Sequence, residues 1–255
     1  KDLFSALSEL AKKKPVVVLK GGRSEEGSRA ASSHTGALAG SNVIWNSAFK
    51  QANVPTVTTL EDMVATLSLF SLSPPPASNG VGLVAISGGT SVIYTDLCVD
   101  HGLRVPRTSD AIVEKLDDLI KDVGTGLGNP IDLAADYYND DTMRQVISVV
   151  GQEKRFDSII FEADVHNMHQ VATIMDAQEV LSHYWKAMAA EGKAIVEKHQ
   201  KPVLVAIPEV AYPQARAEAW NIFVESGLPV FRNISEAVGA LSRVSSYYQT
   251  RQHRK

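Results

Sequence analysis

Lys201-Pro202-Val203-Leu204-Val205 decides the reading of this chain, because Lys14-Pro15-Val16-Val17-Val18 states the same pattern earlier. In both places a proline closes a helix that ends in basic residues, and a short apolar run follows that suits a buried strand. The likeness continues outward. Ala48-Phe49 followed by Asn53-Val54-Pro55-Thr56-Val57 matches Ile222-Phe223 followed by Gly227-Leu228-Pro229-Val230-Phe231. Leu60-Glu61-Asp62-Met63-Val64 then matches Ile234-Ser235-Glu236-Ala237-Val238. Self-similarity of this kind marks a duplicated structural unit. Residues 1–70 therefore read as the closing half of a domain that stands whole at 80–247. The second copy has its opening strands and the first does not, so the chain is expected to begin inside a domain. A partial sheet exposes a strand edge and an apolar face, which need a partner, the missing half or the second unit to cover them.

Around the two copies the apolar pattern switches between the helical and the extended period. Leu3, Leu7, Leu10 and Ala11 predict a helix over 2–13, with a strand at 16–19. Residues 21–41, rich in Gly, Ser and Ala and without periodicity, read as a functional loop. A helix over 41–52 with Ser41 as N-cap, a strand at 54–57 and a helix over 60–70 capped by Thr59 complete the first unit. Leu60, Met63, Val64 and Leu67 share one face of that last helix. Pro74-Pro75-Pro76 cannot continue it and favours an extended spacer. The expected division is thus a first unit at 1–72, a linker at 73–79 and a second unit at 80–250. The second unit predicts strands at 81–86, 103–105, 157–162, 203–207 and 229–231. Its helices fall near 90–100, 109–120, 140–151, 170–199, 213–226 and 235–247. This alternation implies an α/β fold of parallel sheets with helices on both faces.

Bulk properties exclude several function classes. A net charge of −4 gives no basic field for nucleic acid or anionic lipid. No apolar run approaches the roughly 18 residues that span a bilayer. The single cysteine, Cys98, leaves no intrachain disulfide, which fits a reducing cytoplasm.

Three stretches carry chemistry. The first runs from Lys20 to Ser41, with His34 at the centre of Ala31-Ser32-Ser33-His34-Thr35-Gly36-Ala37. Small neighbours leave the ring accessible, and a neutral imidazole accepts a phosphoryl group near neutral pH. Composition alone also fits an ordinary surface loop with an incidental histidine. The second is Ser87-Gly88-Gly89-Thr90-Ser91, directly after a strand and opening a helix. There, unpaired backbone N–H groups and glycines suit an anion, although an ordinary tight turn fits equally. The third, Gly124 to Leu133, contains Asn129 and Asp132 and reads first as turn chemistry, with Asp132 capping a turn or orienting a ligand. His166 and His169 have a metal-like spacing without an identifiable third ligand, so no metal site is expected. Cys98, Trp45, Trp185 and Trp220 read as packing residues. No Gly-x-Ser-x-Gly elbow supports a hydrolase.

Ala31 to Ser41 resembles the phosphohistidine loop of the NDP-forming acyl-CoA synthetases of the succinyl-CoA ligase superfamily. Lys14 to Ser24, Ile86-Ser87-Gly88-Gly89 and Gly128-Asn129-Pro130-Ile131-Asp132-Leu133 are similar to neighbouring parts of the same family. The resemblance implies flavodoxin-like modules, the first incomplete. It implies a ligase that joins a carboxylic acid to CoA with ATP through an acyl phosphate, with His34 as phosphoryl carrier. Ser33, Thr35 and Gly36, with Ser87, Gly88, Gly89 and Thr90, are expected to hold phosphoryl oxygens, and Asn129 and Asp132 to support that loop. CoA and ATP/ADP with Mg2+ would bind mainly on a CoA-binding Rossmann domain and an ATP-grasp domain or subunit outside this chain. No tightly bound cofactor is expected. The carboxylate that orients the histidine would also lie outside it. The family often has Asn-Ala-Gly-Gly-Pro-Gly where this chain has Ile86 to Ser91, which alters the phosphate geometry. The resemblance further implies a cytoplasmic oligomer. The alternative it leaves is a ligase-like regulatory module of a fused protein acetyltransferase, without ligase activity.

Overall fold

Both copies of the Lys-Pro-apolar pattern form parallel strands in the same register. The computed structural model describes residues 2–35, 41–121, 125–209 and 211–253. The first unit runs α1 (Asp2–Lys13), β1 (Val18–Leu19), α2 (Glu25–Thr35), α3 (Asn42–Gln51), β2 (Thr56–Val57) and α4 (Leu60–Leu72). The second runs β3 (Val81–Ala85), α5 (Gly88–Asp100), α6 (Asp110–Leu119), β4 (Ile131–Asp132), a 3₁₀ turn (Ala134–Tyr138), α7 (Asp140–Gly151) and β5 (Ser158–Glu162). It continues through α8 (Val165–Ile174), α9 (Val180–His199), β6 (Val203–Ala206), α10 (Pro213–Glu225), β7 (Val230–Phe231) and α11 (Ile234–His253).

In the first unit Val18 pairs with Thr56 and Leu19 with Val57. In the second, Val205 pairs with Val230 and Ala206 with Phe231. These are the positions that the sequence repeat equates. The turn before each second strand repeats as well. Val54 N donates to Phe49 O at 2.9 Å, and Leu228 N donates to Phe223 O at 3.3 Å. Asn53 (φ 55°) and Gly227 (φ 85°) both take the left-handed conformation that ends a helix.

The second sheet has the order β4-β3-β5-β6-β7, all parallel. Counted along the chain this is 2-1-3-4-5, the flavodoxin-like order, which leaves a ligand crevice where the order reverses, between β3 and β5. Every residue of β3, β5 and β6 is buried, as expected for parallel strands covered on both faces. Alternate residues feed two cores. Val81, Leu83, Ile160, Leu204 and Ala206 pack with α5 and α11, whereas Val84, Ile159, Phe161, Val203 and Val205 pack towards α7, α9 and α10. At Gly82 a Cβ would meet the Phe156 ring at 2.4 Å, so this strand position requires glycine.

The corresponding face of the first unit is open. In α11, Ile234, Val238 and Leu241 are at most 4% exposed and cover the sheet. Their equivalents in α4, Leu60, Val64 and Leu67, are 67%, 64% and 39% exposed. On its other side α4 buries Ala65, Thr66 and Leu69 in the core that it shares with α11. This joint carries the ion pair Asp62–Arg243 at 2.9 Å, the bond from Asn53 Nδ2 to Tyr247 O at 3.1 Å and the edge-on packing of Phe70 against Tyr247.

Three expectations are corrected, and one strand is added. Residues 21–41 are not a continuous loop, since Glu25–Thr35 is helical. Ser24 Oγ caps this helix by accepting from Gly27 N at 3.0 Å, and Arg29 pairs with Glu25 and Glu26. None of the helix's described side chains is fully buried, so it has no apolar stripe. Residues 103–105 form no strand. Arg104 makes one isolated bridge to Gly80, and Val81 N donates to Arg104 O. The stretch 170–199 is two helices, because the chain turns through Asp176 at φ 52°. The strand β4 is not legible in the sequence, because two buried residues show no period. Elsewhere the helix boundaries shift slightly, and α11 extends to His253.

Candidate functional site

The carboxyl ends of β3, β4 and β5 bring the second-unit candidates together. After Ala85 the chain leaves the sheet through Ile86 and enters α5 at Gly88, with Ser87 at the N-cap position. Ser87, Gly88 and Gly89 are exposed. Ser87 makes no side-chain cap bond, and Thr90 Oγ1 donates to Ser87 O at 3.0 Å. The first N–H groups of α5 therefore face solvent at the sheet's reversal point, an arrangement that suits an anion.

Asp132, at the end of β4, is buried, and its Oδ1 accepts from Ala134 N at 3.1 Å. This side-chain bond spans Leu133, the residue at the N-cap position of the 3₁₀ turn. A Cβ on Gly88 would lie 2.9 Å from Asp132 Oδ2, so glycine there permits the close approach of this carboxylate to α5. Asn129 is a structural residue. Its Oδ1 accepts from Leu83 N, and its Nδ2 donates to Val81 O and Pro106 O, at 2.8–2.9 Å. Both donors and one acceptor site are thus used, so Asn129 anchors the loop to β3.

The end of β5 contributes a group that sequence reasoning missed. Glu162 is 6% exposed. Its Oε1 accepts from Tyr94 Oη at 2.5 Å, and its Oε2 is buried without a partner among the described residues. Burial pushes the carboxyl above its ordinary value, and nearby Asp164 adds to the effect, while the Tyr94 bond works against it. Burial, together with Glu162, likewise raises the Tyr94 phenol, and a hydrogen bond with Thr90 opposes that. Thr90, Tyr94 and Glu162 thus form a line from the start of α5 to the end of β5. Behind them Tyr137 Oη donates to Glu162 O at 2.8 Å and accepts from Asp164 N at 3.0 Å. Asp164 caps α8 through Asn167. An open crevice of about 630 Å³ lies in front, lined by Tyr94, Glu162, Asp164, His166, Pro208 and Glu209 among others. The clue was a charged residue closing the apolar run Ile159-Ile160-Phe161, at the end of a strand where ligands bind.

His166 and His169 pack against Tyr212, with ring centroids 5.5 and 4.3 Å away. Among the described residues no group of three or more His, Cys, Asp or Glu side chains is arranged to hold a metal ion. Cys98 is fully buried, and burial pushes its thiol up to about 12. Trp185 is buried in the second core and Trp45 stacks on Phe49 in the first.

The first-unit candidates lie on α2, which follows the carboxyl end of β1. Gly22, at φ 67°, turns the chain into α2, and Ser28 Oγ donates to its carbonyl at 3.0 Å. Ser33 is exposed in the last turn, and its hydroxyl donates to Ala30 O at 2.8 Å. His34 and Thr35 close the helix; their side chains, and the whole of Gly36, lie outside the described residues. The expected cradle is thus divided between α2 of one unit and α5 of the other.

Comparison with known proteins then settles the kinship. Residues 1–70 match the succinyl-CoA ligase like flavodoxin domain. The chain is 30% identical to subunit alpha of acetate–CoA ligase (ADP-forming) I of Pyrococcus furiosus, over 92% of this chain and 47% of that subunit. The chain is a relative of the ADP-forming acyl-CoA synthetases. An acetate–CoA ligase (ADP-forming) of Methanocaldococcus jannaschii is 38% identical over 53% of this chain and 19% of its own length. The chain therefore spans less than half of the length of these ADP-forming ligases. A dinucleotide-forming acetyl-coenzyme A synthetase 1 of Ca. Korarchaeum cryptofilum, solved with phosphate and ADP, shares the fold, with a TM-score of 0.80 at 22% identity. That match covers 98% of this chain and 50% of the synthetase chain. Among the described residues no helix is long and apolar enough to cross a membrane.

Proposed function

We propose that this chain is the phosphohistidine-bearing part of an NDP-forming acyl-CoA synthetase. One observation carries the reading most directly. The first unit repeats the closing half of the second, with β1 and β2 matching β6 and β7, yet only the first inserts, after β1, a helix ending in Ser33-His34-Thr35. The inserted helix follows the carboxyl end of β1, the side of a parallel sheet where ligands bind, and Ala31 to Ser41 resembles the family's carrier loop.

In the forward direction, the carboxylate of a small acid attacks the phosphorus carried on His34. The N–P bond breaks, and an acyl phosphate forms. The CoA thiolate then attacks the acyl carbon, and phosphate leaves with the electron pair of the C–O bond. The nucleotide restores the carrier as the imidazole nitrogen attacks its terminal phosphorus and NDP departs. In this chain the work is to hold a charged group. Ser33, Thr35 and Gly36 on one side and the α5 amino end (Ser87 to Thr90) on the other supply donors for the phosphoryl oxygens. A CoA-binding Rossmann domain and an ATP-grasp domain or subunit supply the remaining sites, and the Mg2+ that accompanies the nucleotide belongs there. We divide the chain into a half-module at 1–72, a linker at 73–79 and a complete module at 80–250. A parallel sheet from the longer protein would cover the open face of α4.

The test uses the full-length protein with its nucleotide-binding partner and ATP labelled at the terminal phosphate. Acid-labile, base-stable label should appear on the wild type and be lost in His34→Ala. Label that persists in the variant contradicts the reading. No label on either protein favours the regulatory alternative.

A further inference from the structure

The crevice in front of α5 and β5 is acidic. Glu162, Asp164 and Glu209 line it, and among the described residues no Lys or Arg does. Arg216 and Arg232 line the neighbouring groove, which Glu209 also borders. A metal ion would need three or more suitable side chains, and no such group exists among the described residues. Asp164 is already held, since Oδ1 accepts from Asn167 N at 3.0 Å and Oδ2 from Asn167 Nδ2 at 2.6 Å. Glu162 is the unfinished member. It is 6% exposed, one carboxylate oxygen holds Tyr94, and the other is buried with no partner among the described residues. A carboxylate oxygen so placed carries a desolvation cost that an N–H donor would offset. An organic cation with N–H groups therefore suits this end of the crevice better than a metal ion. One turn back along α5 from Tyr94, at Thr90, lies the exposed amino end of the helix, which favours negative charge. A ligand that suits both places carries an anion at one end and an ammonium group at the other.

We propose that this crevice selects the acid substrate, and that the acid is a small ω-amino acid, with its carboxylate at the start of α5 and its ammonium group against Glu162. The proposal rests on the ligase reading above and deepens it by naming the substrate class. It does not depend on where the His34 ring lies. In the ligase reading the acid's carboxylate becomes an acyl phosphate, so that end stays anionic throughout, and the amino end of α5 is where an anion fits. The tail then points along Tyr94 to Glu162, whose buried oxygen accepts an ammonium N–H. Asp164 and Glu209 add negative potential around it. Tyr94 holds the Glu162 carboxylate from α5, and Tyr137 holds its main-chain carbonyl from the 3₁₀ turn. The acceptor is thus fixed before the ligand arrives, which lowers the cost of binding. The length of the Tyr94 side chain separates the two preferences, which is why the amino group stands at the far end of the acid. A methyl group in its place would leave Glu162 unpartnered. A second carboxylate would meet three acidic side chains, so dicarboxylic acids are disfavoured.

The experiment measures kcat/KM for acid- and CoA-dependent ADP release by the full-length protein, with its nucleotide partner and ATP. 4-Aminobutanoate is compared with pentanoate and glutarate, which put a methyl group or a carboxylate where the ammonium stands. 3-Aminopropanoate is compared with butanoate and succinate in the same way. In the wild type the better amino acid should exceed its methyl analogue about ten- to hundred-fold, and the dicarboxylate should be the poorest of the three. Glu162→Gln should cut that preference by about ten-fold or more, and Glu209→Gln, at an exposed position, by about two- to five-fold, with melting temperature as a folding control. Methyl analogues or dicarboxylates used as well as the amino acids overturn the proposal. So does a preference unchanged in a folded Glu162→Gln. If Glu162→Gln melts early, Glu209→Gln decides, a reduced preference supporting the proposal and an unchanged one overturning it. No ADP release with any of these acids, while labelling that is lost in His34→Ala persists, overturns the proposal and leaves the carrier reading standing. If that labelling is absent as well, both fall.

Discussion

The first unit and the closing half of the second, β6 to α11, share one strand–helix–strand–helix pattern and register, and these two stretches differ at two places. After β6 the second unit crosses to α10 through residues 207–212, whereas after β1 the first takes residues 20–41 and folds part of them into α2. On the closing helix the second unit buries Ile234, Val238 and Leu241, whereas the first exposes Leu60, Val64 and Leu67. The comparison separates what the duplicated fold requires from what was added to it. Strand register, the left-handed helix end and the helix order belong to the fold. The helix carrying His34 is an addition, placed where parallel sheets bind ligands. The open face of α4 shows which side of the first sheet awaits covering.

The most severe test of the first difference replaces residues 20–41 with the short connection 207–212 in the full-length protein. Phosphoryl labelling should vanish completely, while circular dichroism retains the α/β signature. Retained labelling would break the link between the insertion and the chemistry. The second difference predicts unequal costs for equal deletions. Leu241→Ala should destabilise this chain by about 2–5 kcal/mol, and Leu67→Ala by less than about 1 kcal/mol, in denaturant titrations. Similar losses would mean that α4 is already covered. In the longer protein the gap should narrow.

The repeated helix end gives a smaller effect. A Cβ on Gly227 meets no atom within 4 Å, so Gly227→Ala should cost only the left-handed backbone penalty of about 1–2 kcal/mol. Gly227→Asn, which installs the first unit's residue, should cost less than about 1 kcal/mol, because asparagine tolerates this conformation. A large loss for Gly227→Asn would show that the two turns are not equivalent. The smallest effect concerns the joint between the units. Burial alone would raise Asp62, but the Arg243 guanidinium and bonds with Thr58 and Thr59 outweigh it and hold the carboxyl below its ordinary range. Its contribution is complete above the ordinary carboxylate pKa, near about 4, and is lost as pH falls through the lowered value. Asp62→Asn should remove that acid-side slope from the wild-type stability profile, an effect below about 1 kcal/mol.

Much of this is legible in the residues. The twin Lys-Pro-apolar phrases specify the register of both strand pairs, because buried parallel strands are short apolar runs with sharp ends. Thr59 announces a helix start and accepts the expected backbone bond, whereas Ser41, at the N-cap of α3, makes no side-chain cap bond. The Ser24 cap and the acidic first turn of α2 are equally visible, but no apolar stripe draws attention to them. Helix α2 is stabilised by its cap and its charge pairs rather than by burial, and periodicity cannot detect that. Asn129 reads from the residues as turn chemistry and from the resemblance as loop support, and its bonds to β3 and Pro106 show how it anchors that loop. Glu162 escapes notice because its meaning depends on Tyr94 and on the helix beside it, which only the folded chain brings together.

The account stands on one covalent bond. Full-length protein incubated with ATP, kept above neutral pH, digested and fragmented by mass spectrometry should show a phosphoryl group on His34, in the peptide that contains Ser33-His34-Thr35. A phosphoryl group on another residue, with that peptide unmodified, would contradict the account.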